Sequence, residues 1–545
     1  MRLTKILAAG AAGAMLLTGC SAGGGGGDSA AASGVLTIAN VAGQTWTCGF
    51  NPFNPAVNYL SFGFVYEPLI YINALKNNAE TPMLAGSYEW APDKKSITFA
   101  VRDGVKWSDG EPMTAADVAF TFNLLKANPG LDINALWDSI LTDVSASGNA
   151  VTMRFSAPAD PYFYYFAGQT PIIAQHVWGT GEAAQDPVKY QDAQPIGTGP
   201  YKVDPCSANN IVYTANESYW QPGLPKVKKI NYPAYTDNNP ANLDLASGKD
   251  QWGGQFIPGI DKLYISRDKE NHHYWFPPTT NVALYFNMKH PNTADVAVRR
   301  ALAFAIDREA VSKVGEGGYQ PAANQTGVVL PTFQQWYDSD AANAAGYKVD
   351  RAKAADLLAG AGYSPAHPLE LSVITISGYT DWDASLAEIK QQLQPLGVHL
   401  TIDDLAGQTF QDRLAKGDFD LAYYSQVGGA GPYYELRQIL HSANSAPLGQ
   451  DAASNYERYE NPAIDKALDS FAGADEATQH QLLNTVQQAM LTDVPVIPTT
   501  ENVNWYQYDT SDFTGWPTEA DPYALPAPYQ IPDNEQVVLH LAPKN

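Results

Sequence analysis

The chain has 545 residues, 45% of them apolar and 17% charged, with 33 Lys and Arg against 57 Asp and Glu and a formal net charge of −24. That length suggests two or more domains with ample core. The acidic balance excludes nucleic acid and anionic lipid headgroups as partners attracted by charge.

Arg2 and Lys5 precede an apolar segment, Ile6 to Leu17, which is too short to span a membrane comfortably and has the shape of a signal peptide. It ends in Leu17-Thr18-Gly19-Cys20, which resembles the bacterial lipobox, where the cysteine is lipidated and becomes the first mature residue. Residues 1–19 are therefore expected to be a lipoprotein signal peptide and 20–34, rich in Gly, Ala and Ser, a flexible tether. A plain secretory signal followed by a chance cysteine is the alternative. No later stretch is apolar and long enough to cross a bilayer. Two cysteines remain, Cys48 and Cys206. One pair in an exported chain suggests a disulfide, with free thiols as the alternative, since sequence does not show that they meet.

Val35 to Val41 reads as a first strand, followed by a turn-rich loop, 44–55 (QTWTCGFNPFNP), that carries Trp46. Ile97, Phe99 and Val101 alternate as a strand, and Asp109-Gly110 marks a tight turn. Thr114 caps a helix with Asp117 at its third position, and Val118, Phe122 and Leu125 supply the apolar face. Val298, Leu302, Ala305 and Ile306 lie at helical spacing, as do Leu386, Ile389, Leu393 and Leu396. Val398, Leu400 and Ile402 then alternate as a strand. Helix followed by strand, repeated, argues for α/β lobes.

The stretch Asp418 to Leu440 (DFDLAYYSQVGGAGPYYELRQIL) holds most functional promise. An apolar run, Phe419 to Tyr424, breaks into Gly428-Gly429-Ala430-Gly431-Pro432 and then a helical pattern. A strand, a loop of nearly bare backbone and a helix N-terminus can present main-chain amides and aromatic faces to a ligand. An ordinary strand–turn–helix link has the same pattern. No catalytic motif accompanies it: there is no Gly-x-Ser-x-Gly elbow, His-Glu-x-x-His or Walker loop. His272-His273 is the only close histidine pair, and neighbours on an extended segment point to opposite faces. Neither a metal nor a cofactor is expected.

Several blocks resemble, in order, the family-5 extracellular solute-binding proteins, receptors of bacterial ABC importers for oligopeptides, dipeptides, nickel complexes and some oligosaccharides. They are 84–126, 196–201 (IGTGPY), 216–220 (NESYW), 282–311, 347–363, 388–402, 418–440 and 455–468. The resemblance implies an α/β fold of the two-lobed periplasmic-binding-protein type, type II-like, with an extra subdomain in lobe I. Lobe I would run over 35–276, with 67–194 inserted, lobe II over 277–508, and 509–545 would return to lobe I. It also implies a non-catalytic, monomeric receptor, lipid-anchored at Cys20 on the outer face of the cytoplasmic membrane. Such a receptor takes a small-molecule ligand to ABC permease subunits.

Peptide-binding members typically carry Trp-x-Gly-Asp in the loop after the lobe-II strand, where the Asp pairs with the ligand's α-amine. Here those positions are Gln426 and Gly429, and no acidic residue lies between Asp420 and Glu435. An unpaired ammonium in the site is costly, so the expected ligand is an oligosaccharide, with an oligopeptide as the alternative. Neutral amides beside aromatic faces suit sugar rings and hydroxyls. The candidate contacts are Gln426, Gly428, Gly429, Tyr433 and Tyr434 from this stretch, with Trp46, Trp252, Gln255, Asn281, Trp382 and Trp505 from segments that line the cleft in the family. Each of the tryptophans is equally a core residue by type. The tail 513–523 (FTGWPTEADPY) resembles members that bind β-linked glucose and mannose chains. A secreted hydrolase of such polymers is a reading from another class; it would require a carboxylate pair across the cleft.

Overall fold

The computed structural model describes residues 34–40, 45–55, 57–236, 238–425 and 428–544. Cys20, the signal peptide, nearly all of the tether and Gln426 lie outside the described residues.

The first unit is built on a seven-stranded sheet with Val35–Ala39 at its centre. That strand runs parallel to Lys229–Pro233 on one side and Trp252–Gly253 on the other. Its Leu36 and Ile38 are fully buried, as expected of a central strand in a parallel arrangement. A second sheet of four antiparallel strands, Ala85–Trp90, Ser96–Val101, Ala150–Phe155 and Leu141–Ser147, is inserted between the first and second strands of that larger sheet. The helix Ala115–Ala127 contributes Val118, Phe122 and Leu125 to the buried interior. Thr114 and Asp117 form the capping box read from the sequence, with the Thr114 amide donating to Asp117 at 2.8 Å.

The second unit is a five-stranded sheet in the order Val398–Leu405, Leu369–Ile376, Leu421–Ser425, Pro278–Phe286, Val496–Val503. The first three are parallel, and Pro278–Phe286 is antiparallel to both of its neighbours. Apolar side chains leave both faces: Val282, Leu284, Phe286, Leu421 and Tyr423 enter one core, Ala283, Tyr285 and Ala422 the other. Helices cover both sides, Val296–Ala305 and Thr380–Leu393 on one, Pro432–Leu440 and Glu476–Thr492 on the other. A strand buried on both faces needs apolar residues at consecutive positions, which is why Pro278–Phe286 and Leu421–Ser425 read as runs, whereas the edge strand Val398–Leu405 alternates.

The chain passes from the first sheet to the second between Tyr274 and Pro278 and back between Val503 and Gln507. The two crossings are tied together, with the Asn504 amide donating to the Pro277 carbonyl at 2.8 Å and the Trp275 amide to Tyr506 at 3.2 Å. The chain end returns to the first unit, where Phe513, Trp516, Val537 and Leu541 join its core.

Cys48 and Cys206 are joined as a disulfide, with Cα atoms 5.8 Å apart across a sequence separation of 158. The bond ties the loop after the central strand to the edge hairpin. Closing so long a loop restricts the unfolded chain, so the double variant Cys48→Ala, Cys206→Ala is expected to lose about 2–5 kcal/mol of unfolding free energy. Denaturant melts of the first unit's transition measure it, and an unchanged midpoint would show the bond to be energetically idle.

Candidate functional site

In α/β sheets, helix N-termini and free main-chain amides gather at the carboxyl ends of parallel strands. The registers show where those ends lie. Ser425, the last residue of its strand, pairs with Val282, so Pro278–Asn281 extend past the carboxyl end of Leu421–Ser425. Gly253, the last residue of its strand, pairs with Gln507, which the returning crossing reaches first. The carboxyl edges of both sheets therefore meet at the crossings. The residues gathered there are Asn40, Gly254 to Phe256, Tyr379, the loop through Gly428 to Gly431, and Trp505.

At the crossing, Trp505 packs edge-on against Phe256 at 5.3 Å and Phe276 at 4.8 Å, and its amide donates to the Tyr529 hydroxyl at 3.1 Å. Trp382, in the first turn of its helix, stacks on Tyr379 with centroids 5.0 Å apart and meets Tyr423 edge-on at 5.7 Å. Trp382 is only 9% exposed, whereas Tyr379 is 48% exposed, so the presented face of this pair belongs to Tyr379.

Other predicted residues are buried within the units. Trp46 is buried and donates its indole N–H to the Tyr232 carbonyl at 2.8 Å. Trp252 is fully buried, donates to Pro526 at 2.8 Å and packs against Trp516. Both indoles therefore have their polar atom engaged and next to no surface to offer; they belong to the first unit's hydrophobic core. Gln255 accepts the Gly254 amide at 3.1 Å and donates to Asn242 at 3.2 Å. Tyr433 stacks on Phe471 at 4.3 Å inside the second unit and meets Tyr434 edge-on at 5.6 Å.

Asn281 is also committed. Its side-chain amide donates to the Gly327 carbonyl at 2.9 Å and to both carboxyl oxygens of Glu435 at 3.2 Å, and its main-chain amide donates to Glu435 Oε1 at 3.1 Å. Glu501, paired with Asn281 across the sheet, accepts the Leu330 amide at 2.8 Å. Burial pushes the carboxyls of Glu435 and Glu501 each up to about 8. Burial likewise raises Asp381, beside Tyr379, above the usual carboxylate range. The acids at this edge are thus biased toward the neutral form.

The glycine loop is shaped by its neighbours. A Cβ on Gly429 would lie 2.5 Å from Cγ of Tyr434 and 2.8 Å from its Cβ and Cδ2. One on Gly428 would lie 2.5 Å from Cγ2 of Thr280 and 3.1 Å from the Thr279 carbonyl oxygen. Position 429 has no side chain because the Tyr434 ring lies where one would begin. Tyr434 also reaches the first unit. Its hydroxyl donates to the Pro161 carbonyl at 2.6 Å, and its ring sits 5.6 Å from Tyr164 and 5.3 Å from Tyr165.

Tyr379, Phe256, Phe276, Tyr164 and Tyr165 escaped sequence reasoning. A usable signal existed for two of them: the unbroken aromatic run Tyr162 to Phe166 stands out in a chain that is 11% aromatic. Two surface hollows of about 530 and 510 Å³ on the second unit contain none of the predicted residues. Among the described residues no three His, Cys, Asp or Glu side chains are grouped to hold a metal, and no helix is long and apolar enough to cross a membrane.

The family model of bacterial extracellular solute-binding proteins, family 5 (middle region), matches residues 80–447. Protein XP55 of Streptomyces lividans is 28% identical over 416 residues, covering 74% of this chain and 72% of its own length. The oligopeptide-binding protein OppA of Bacillus subtilis is 25% identical over 470 residues, covering 79% and 81%. A periplasmic oligopeptide-binding protein of an oligopeptide ABC transporter from Thermotoga maritima superposes with a TM-score of 0.86 at 25% identity, over 94% of this chain and 99% of that one. A crystal structure of that protein with mannohexaose bound superposes at 0.81 with 24% identity over the same shares, which speaks to fold.

Proposed function

This chain belongs to the bacterial extracellular solute-binding proteins of family 5, and from that premise we propose that it captures an uncharged oligosaccharide between its two units and delivers it to an ABC permease. In this reading residues 35–276 and 509–545 act as one lobe, with 67–194 inserted, and 277–508 as the other. Ligand that touches both lobes shifts the population toward the closed form.

The observation that carries the sugar reading is Tyr434 lying over Gly429. The position that resembles the ammonium-binding Asp of peptide receptors has no room for a carboxylate while that ring is in place. The half-exposed Tyr379 on Trp382, and Trp505 at the crossing, supply aromatic faces of the kind that pack against pyranose C–H groups. The mannohexaose seen in the Thermotoga maritima protein supports the same class. The oligopeptide reading is favoured by the similarity to the oligopeptide-binding protein OppA of Bacillus subtilis and by Asp381, which stands beside the exposed Tyr379.

A thermal-shift comparison separates the two. Mannohexaose, or another β-linked hexasaccharide, at a hundred times its dissociation constant should add about 2.7 kcal/mol of stability, while tri- to pentapeptides leave the melt unchanged. Peptides that stabilise where sugars do not would reverse the assignment. The lipobox-like Leu17 to Cys20 supports anchoring through Cys20. Mass spectrometry of the mature N-terminal peptide should find a lipidated cysteine there, and an unmodified N-terminus elsewhere would exclude the anchor.

A further inference from the structure

Away from the crossings, the two units touch along a band made by different elements. On the first-unit side is the segment around 158–168. It ends in a single π-helical turn, Tyr164–Gly168, a wide turn that recurs at functional sites. On the second-unit side are Tyr434 and the turn at Gly473. The Tyr434 hydroxyl donates to Pro161 at 2.6 Å, and its ring is held between Tyr164 and Tyr165. The Gly473 amide donates to Asp160 at 2.8 Å, and the Gln335 side chain to Asn77 at 3.2 Å. Of these, the Tyr434 contact alone is continuous with the glycine loop, since the same ring covers Gly429.

We propose that Tyr434 is the closure latch of this receptor: one side chain both roofs the glycine loop and holds the inserted subdomain against the second unit. Loop and ring share one close contact, since a Cβ at position 429 would already lie 2.5 Å from Cγ of Tyr434. The ring cannot leave Tyr164 and Tyr165 without freeing the Pro161 carbonyl. A ligand that orders the loop therefore orders the latch, and the latch in turn sets how much of the unliganded protein is already closed. Only the coupling to ligand rests on the loop being a ligand wall. The latch itself does not.

The test is made without ligand, so its failure is distinct from a failure of the sugar reading. Dyes on Ser145→Cys and Glu476→Cys, one on each unit, report the open and closed populations by single-molecule energy transfer. Removal of one hydrogen bond in Tyr434→Phe should move the open-to-closed ratio about two- to ten-fold toward open. Tyr434→Ala, which also removes the ring contacts, should move it further, with a larger radius of gyration by X-ray scattering. Circular dichroism checks that both variants are folded. Folded variants with the ratio and radius of the parent protein would overturn the proposal.

Discussion

Gly429→Asp is expected to weaken oligosaccharide capture roughly 30- to 1,000-fold without creating a peptide receptor. The new Cβ must begin 2.5 Å from Cγ of Tyr434, well inside van der Waals contact, so the ring has to leave. Overpacking of this kind costs about 1–3 kcal/mol. Displacement of the ring also breaks the hydroxyl bond to Pro161, worth about 1 kcal/mol. The sum, about 2–4 kcal/mol, converts to that range of affinity. Titration calorimetry with a stabilising hexasaccharide and with a tripeptide measures both sides. Tight tripeptide binding by Gly429→Asp would show that the ring yields freely and that a single side chain separates the two specificities. Unchanged sugar affinity would place the ligand away from this loop.

Stability is expected to fall as pH rises from about 5 to 8.5, opposite to the trend of a protein whose carboxylates are salt-bridged. Glu435 and Glu501 are 3% and 2% exposed, and burial raises each from 4.5 to about 8. The folded state thus holds protons that the unfolded state has already released in this window. A raised carboxyl contributes stability that is fully present below 4.5 and is lost progressively as pH climbs to 8. One such group is worth roughly 4–5 kcal/mol between the two ends, as an order of magnitude. Glu316, also raised to about 8 by burial, and Asp192 and Asp533, each raised to about 7, act in the same direction. Glu435→Gln isolates one contribution. Its amide oxygen can still accept from Asn281, but it has no proton to lose. Denaturant melts at pH 5, 7 and 8.5 should show a shallower decline for Glu435→Gln, by about 1.4 kcal/mol per pH unit within the window, and a variant more stable than the parent at 8.5. Parallel curves would mean that Glu435 is ionised in the folded protein.

What could be read from the one-dimensional chain was whatever depends on near neighbours in it. The Thr114–Asp117 capping box, the alternation of Ile97, Phe99 and Val101 in their strand and the helical spacing of Leu386, Ile389 and Leu393 all involve residues a few positions apart. Each is legible because backbone geometry repeats every two or every 3.6 residues. The ordered blocks that resemble one family extended that local reading to the whole fold, and the matched span and superpositions agree. The lack of a carboxylate at 429 is likewise a plain fact of sequence.

The tertiary structure alone decided which aromatic rings are spent and which are presented. Trp46 and Trp252 stand among the candidates and Tyr379 does not, yet the two indoles have their N–H bound inside the core and Tyr379 is exposed. Residue type sets how much surface a side chain has to bury, whereas the packing of elements far apart in sequence sets whether it is buried. The same reason hides the partnership of Tyr434 and Pro161, 273 residues apart. No local period relates them, and they meet only where the inserted segment around 158–168 packs against the second unit, away from the crossings.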